Sequence, residues 1–297
     1  MAINLRVTQQ SIATRVMTGL QGNLGRIGDL QQQLSSGKIL SRPSDSPTGT
    51  VSAMQLRGEM RATQQHARNA EDGLGWLNTI DSTLTSVSTQ VNRVRDLTLQ
   101  ANSAGASSAP EAREALAVEV ENIREALIAL ANTRYLDRPV FGGTTAGGAA
   151  YDANGAYVGD AGRVYRTVGD GTKVRVDANG PEAFGTGPQQ LFNVLTSIAT
   201  NMRENAGSLG GDLDNLDGVI SSIRTQLADV GARANRVTNM RQTAEDRLLT
   251  LKTQLSDVED IDLPETIMQL KLQEVAYQAA LAATAKVVQP SLMDFLR

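Results

Sequence analysis

The sequence contains no cysteine, which removes disulfide staples, thiolate metal sites and cysteine nucleophiles from consideration. Aromatic residues make up 3% of its 297 positions, with a single Trp76, so the bulk of any core has to be Leu, Val, Ile and Ala. There is one histidine, His66, and no matched carboxylate pair beside it, so no acid–base constellation is formed and no catalytic residue is expected. A basic excess is also missing. Lys and Arg number 28 against 32 Asp and Glu, a net charge of −4, whereas nucleic acid would call for a basic stripe. No apolar run reaches about 18 residues, so no membrane helix is expected. Met1–Gln10 has no apolar h-region, so no cleaved secretory signal is expected either. Proline occurs only eight times, leaving long intervals free of the strongest helix breaker.

Those intervals carry apolar residues at helical spacing. The first stripe, about Thr8 to Ser35, contains Val16, Leu20, Leu24, Ile27 and Leu34 and ends at a turn-rich loop, Ser41–Pro47. The second runs from about Thr48 to Ala104, with Leu77, Ile80, Leu84, Val87, Val91 and Val94 in steps of three and four, a coiled-coil-like seam. Ser108–Glu111 reads as a capping box opening a third stripe, Leu116, Val120, Ile123, Leu127 and Leu130. After the middle of the chain come Leu191, Leu195, Ile198 and Met202. The longest pattern follows, from Leu213 to Val258, broken only at Arg241. Ile267, Leu270, Tyr277, Leu281 and Val288 continue to the C-terminus.

The middle differs. Twelve of the 27 glycines lie between Gly142 and Gly187. Val164–Val168 and Thr172–Val176 are β-branched with partial alternation, joined by Gly169-Asp170-Gly171, a hairpin signal. The expected fold is therefore mainly α: an elongated bundle of long coiled-coil-like helices from both chain ends, with a small β-rich insert between them. The expected division is residues 1–45 with 260–297 as a terminal helical assembly domain, 46–137 with 189–259 as a helical bundle, and 138–188 as the insert. The acidic run Asp212–Gly218 places Leu216 and Asp217 where a calcium loop needs a ligand and a glycine, so it reads as an acidic helix start. No metal or cofactor is expected.

The chain ends are poor in charge. From Val7 to Gly25 the only charged residue is Arg15, and from Val275 to Gln289 the only one is Lys286. A helix at the surface normally carries charges on its outward face, so these segments are expected to be covered by neighbouring subunits. The long internal stripes are expected to be core within the chain.

Several blocks in this order resemble the bacterial flagellin superfamily. They are Gln33-Leu34-Ser35-Ser36-Gly37-Lys38, then Arg68-Asn69-Ala70-Glu71-Asp72-Gly73, then Val230-Gly231-Ala232-Arg233-Ala234-Asn235-Arg236. Within that superfamily three further blocks are similar to the hook–filament junction branch: Pro43-Ser44-Asp45-Ser46-Pro47, Leu130–Thr133 with Val140–Gly143, and Ser291–Arg297. The resemblance implies a non-enzymatic, mechanical subunit that assembles axially with copies of itself, between a hook-side junction protein and flagellin. It also implies an extracellular place in the flagellum, reached without signal cleavage through the flagellar type III export apparatus with a cytoplasmic export chaperone. The assembly-interface candidates are Val16, Leu20, Leu24, Ile27, Leu34, Arg233, Asn235, Tyr277, Leu281, Val288, Phe295 and Leu296. A filament flagellin, or a secreted coiled-coil scaffold or binding module, is the alternative.

Overall fold

The computed structural model describes residues 9–104, 110–145 and 147–288. Its helices are α1 (Gln9–Ser36), α2 (Pro47–Ala104), α3 (Pro110–Ala131), α4 (Gly180–Phe184), α5 (Leu191–Glu204), α6 (Leu209–Glu259) and α7 (Leu263–Val288). Two short antiparallel pairs join them, β1 (Arg134–Tyr135) with β2 (Arg138–Pro139) and β3 (Tyr165–Gly169) with β4 (Thr172–Arg175). The protein is mainly α with a small β-containing insert. The Ser108 half of the expected capping box lies outside the described residues.

Helix ends follow local chemistry. Gly37 ends α1 at φ +70°, where its N–H donates to Gln33 O at 2.8 Å, a left-handed C-terminal cap. Ser46 caps α2: its Oγ accepts from Gly49 N at 3.1 Å, with Pro47 following at the first helical position. Asp262 Oδ1 accepts from Glu265 N at 3.1 Å at the start of α7. Asp212, in the first turn of α6, is buried and accepts from Ser197 Oγ at 2.9 Å and Asn201 Nδ2 at 2.7 Å, which ties α5 to α6.

The chain divides into two compact units, residues 1–61 with 249–297, and residues 62–248. In the second unit the expected stripe of α2 is core throughout. Leu77, Ile80, Leu84, Val87, Val91 and Val94 are fully buried with Val120 and Leu127 of α3, Leu195 and Ile198 of α5, and Ile223 and Val230 of α6. Leu227, in the long stripe of α6, is only half-buried at the edge of this core. The insert belongs to this same core and adds what the helices lack. Phe141, Tyr151, Phe184 and Phe192 form a ring cluster with neighbouring centroids 5.1–6.0 Å apart, edge-on in every pair but Phe184–Phe192. The core is thus aliphatic along the helices and aromatic where the insert meets them.

In the first unit α1 and α7 pack together. Asn23 accepts from Gln273 Nε2 at 3.1 Å, while Ile261 N donates to Gly37 O at 3.1 Å, so the two helices run antiparallel. The seam is Val16, Leu20, Asn23, Ile27, Leu30 and Leu34 on α1, facing Thr266, Leu270, Gln273, Tyr277 and Ala280 on α7.

Candidate assembly surfaces

Three groups of residues singled out from the sequence are brought into defined surroundings. The first is the block on α2. Ala70 is fully buried, Asn69 Nδ2 donates to Thr167 O at 2.9 Å, and Asp72 pairs with Arg166 at 2.5 Å. Both bonds hold β3 against the helix. At Gly73 a Cβ would lie 3.1 Å from Val176 Cγ1, and at Gly75 it would lie 2.3 Å from the Tyr135 hydroxyl, so the two hairpins approach the bare backbone of α2. Arg166 and Arg138 stack over Trp76 at 5.9 and 5.8 Å. The block on α6 reaches the same insert: Arg233 Nη1 donates to Asp177 O at 2.7 Å, and its other arm pairs with Asp229 one turn back. Asp229 is held below the usual carboxylate range by that hydrogen bond. Asn235 is exposed. Arg233 therefore has intrachain partners, and Asn235 alone of the two faces outward.

The second group is centred on Glu259, a buried carboxylate at the end of α6. Lys38 Nζ lies 2.6 Å from its Oε2 and Arg57 Nη2 2.8 Å from its Oε1. The main chain closes the same contact, since Ile39 N donates to Glu259 O at 2.7 Å. A buried carboxylate is tolerated only when paired, and two cations supply that. Hydrogen bonding to Glu259 raises the Lys38 pKa. In the following loop Asp45 Oδ2 accepts from Ser41 N at 3.1 Å and Arg42 N at 2.7 Å, which fixes the turn into α2.

The third group is a set of exposed apolar side chains in the first unit. Met268, Leu272 and Val275 of α7 are 60%, 67% and 64% exposed, at spacings of four and three, opposite the seam with α1. Leu281 on α7, Met17 and Leu24 on α1, Val51 and Met54 on α2 and Leu249 on α6 are exposed too. Of the expected interface residues, Leu24 and Leu281 are among these exposed side chains. Val16, Leu20, Leu34 and Tyr277 are half-buried and Ile27 is buried, all on the seam. Val288 ends α7, and Phe295 and Leu296 lie outside the described residues. Met268, Leu272 and Val275 were overlooked in the sequence, although their own four-three spacing marks a second stripe on the face opposite Leu270 and Tyr277.

Among the described residues no group of three or more His, Cys, Asp or Glu side chains is placed to hold a metal ion. His66 Nε2 lies 3.4 Å from Asp170 Oδ1 at the β3–β4 turn, a link from α2 to the hairpin. No helix among the described residues is long and apolar enough to cross a membrane.

The chain matches two family models, the bacterial flagellin N-terminal helical region over residues 7–144 and the bacterial flagellin C-terminal helical region over residues 213–296, together about three quarters of its length. It belongs to the bacterial flagellin superfamily, the structural proteins of the flagellum. It is 24% identical to flagellar hook-associated protein 3 of Salmonella typhimurium, over 93% of this chain and 95% of that one. It is 22% identical to flagellin of Bacillus subtilis, over 96% and 97%. Its fold matches the crystal structure of the flagellar junction protein FlgL from Legionella pneumophila with a TM-score of 0.58 at 13% identity, covering 70% of this chain and 99% of that one.

Proposed function

We propose that this chain is a structural subunit of the flagellar hook–filament junction, acting by axial self-assembly between a hook-side junction protein and flagellin and performing no catalysis. The observation that carries the reading is the exposed apolar side chains of α1 and α7 in the first unit. Leu281, Met17 and Leu24 are exposed nearer the seam, and Met268, Leu272 and Val275 line up as one exposed apolar stripe along α7, a face of the kind that partners cover. Copies packed around a common axis would cover it. The end-to-end likeness to hook-associated protein 3 supports the place in the flagellum. The extracellular location, and delivery by the flagellar export apparatus with a cytoplasmic chaperone, are part of the same proposal.

The full-length likeness to a flagellin favours one second reading, a filament subunit. Deleting the gene and viewing cells by electron microscopy separates the two. A junction subunit leaves hooks without filaments and flagellin lost to the medium. A filament subunit leaves hooks that still carry their junction and cap proteins, and that result would overturn the proposal.

A further inference from the structure

We propose that the Leu136–Asp137 turn is a preformed contact knob through which one copy of this chain grips another. The proposal rests on the self-assembly reading and names one part of the interface. Leu136 and Asp137 are the only non-glycine residues with positive φ among those described, at 47° and 61°. They form the two-residue link of the β1–β2 hairpin, in which Tyr135 pairs with Arg138. A link with both φ positive favours Asn-Gly, because an ordinary L side chain crowds its own backbone there. A leucine is among the least suited residues, yet Leu136 is 72% exposed, the highest of the large exposed hydrophobic side chains. Packing within the chain gains nothing from it. Strain held at an exposed tip, with an apolar side chain left in water, is not explained within one chain and points to a contact beyond it.

The stem holds the tip still. Tyr135 meets Trp76 edge-on at 5.7 Å, Arg138 lies over the same ring at 5.8 Å, and Arg134 Nη2 donates to Asp137 O at 2.6 Å. Pro139 and Val140 are buried directly behind. A side chain held this way loses little freedom on contact. The self-assembly reading supplies the occupant, a second copy, and charge agrees with it. Around Leu136 stand Arg134, Arg138 and Asp137, a small positive excess of mixed sign, which suits a protein surface of mixed sign and negative balance. The chain itself carries 28 basic and 32 acidic residues. A second copy therefore meets both requirements.

The absence of cysteine makes the test direct. Leu136→Cys places the only thiol of the chain at the tip. Labelling it with a benzophenone maleimide and irradiating intact flagellar assemblies is expected to give a covalent dimer of this chain. Adducts only to a different subunit, or none, would overturn the proposal. A second variant, L136N with D137G, gives the turn its favoured residues and removes the knob. Its denaturation midpoint is expected to stay or rise. In cells also making tagged wild-type chain, its share of the purified assemblies should fall about tenfold, the scale of one lost apolar anchor. An undiminished share overturns the knob. Failure of the junction reading would show differently, as wild-type chain found elsewhere than between hook and filament.

Discussion

Gly19, Gly22, Gly25 and Gly28 recur every three residues along α1, a helix whose other face is committed to α7. Each is exposed, and a Cβ added at any of them meets nothing within 4 Å. Changing all four to alanine is thus free of steric cost in the isolated chain and removes only their poor helix propensity. At about 0.8–1 kcal/mol each, the gain is roughly 3–4 kcal/mol for opening α1. Amide hydrogen exchange on the purified monomer reads that gain directly. Protection across Leu20–Leu34 should rise about 100-fold or more, up to the ceiling set by unfolding of the whole unit. Protection that stays the same or falls would refute the propensity argument and show that the glycines serve packing within the chain. The second readout is incorporation into flagella. Four glycines with no neighbour in the monomer cost stability there, so on the proposed self-assembly their use is expected where other subunits approach the bare backbone. Incorporation of the alanine variant is expected to drop while its monomer becomes more stable. Normal incorporation would remove that role.

Helical stripes were legible because three-four spacing survives whatever they pack against. α1 was expected from about Thr8 to Ser35 and spans Gln9–Ser36, and the Leu213–Val258 stripe lies inside α6. Gly169-Asp170-Gly171 marked the β3–β4 turn correctly, since glycine there meets the conformational demand locally, with Gly171 at φ +67°. The β1–β2 hairpin was missed for the converse reason: Leu136-Asp137 carries no turn signal, and only the surrounding packing imposes the conformation. The aromatic cluster was invisible because Phe141, Tyr151, Phe184 and Phe192 are far apart in sequence and meet only after the insert folds back. The same applies to Glu259, whose partners Lys38 and Arg57 lie more than 200 residues away. The block Arg68–Gly73 stood out in the sequence, but its service as a platform for β3 depends on Arg166 and Thr167, which no local pattern connects to it.

The remaining predictions concern the second unit. Gly75→Ala should destabilise the protein by about 1–3 kcal/mol, because the new methyl would meet the Tyr135 ring, whereas Gly231→Ala, with open space around it, should be neutral or stabilising; paired denaturant midpoints check this. Arg233→Ala should cost about 1.5–3 kcal/mol in the isolated monomer, from the lost charged hydrogen bond to Asp177 O, and a loss below about 0.5 kcal/mol would show that contact to be idle. Asp160 is held at about 2, below the usual 3.8, by Thr144 Oγ, Thr144 N and Gly162 N. A depressed carboxyl contributes stability above about pH 4 and loses it as pH falls toward 2, so Thr144→Val should move the Asp160 titration upward by NMR and reduce that acid dependence. Finally, removing residues 138–188 and joining Asp137 to Gln189 should not leave a free-standing bundle. The deletion takes Phe141, Tyr151 and Phe184 out of the core together with Val164, Val168, Val174 and Val176, and it strips the cover from Trp76 and Phe192. At about 3–5 kcal/mol for each lost ring, the three rings alone approach the whole stability of an ordinary domain, roughly 5–15 kcal/mol. The shortened chain should therefore lose its cooperative transition and much of its far-ultraviolet helical signal. A sharp transition with the helical signal intact would mean that α2, α3, α5 and α6 close a core without the insert, and the shared-core account would be wrong.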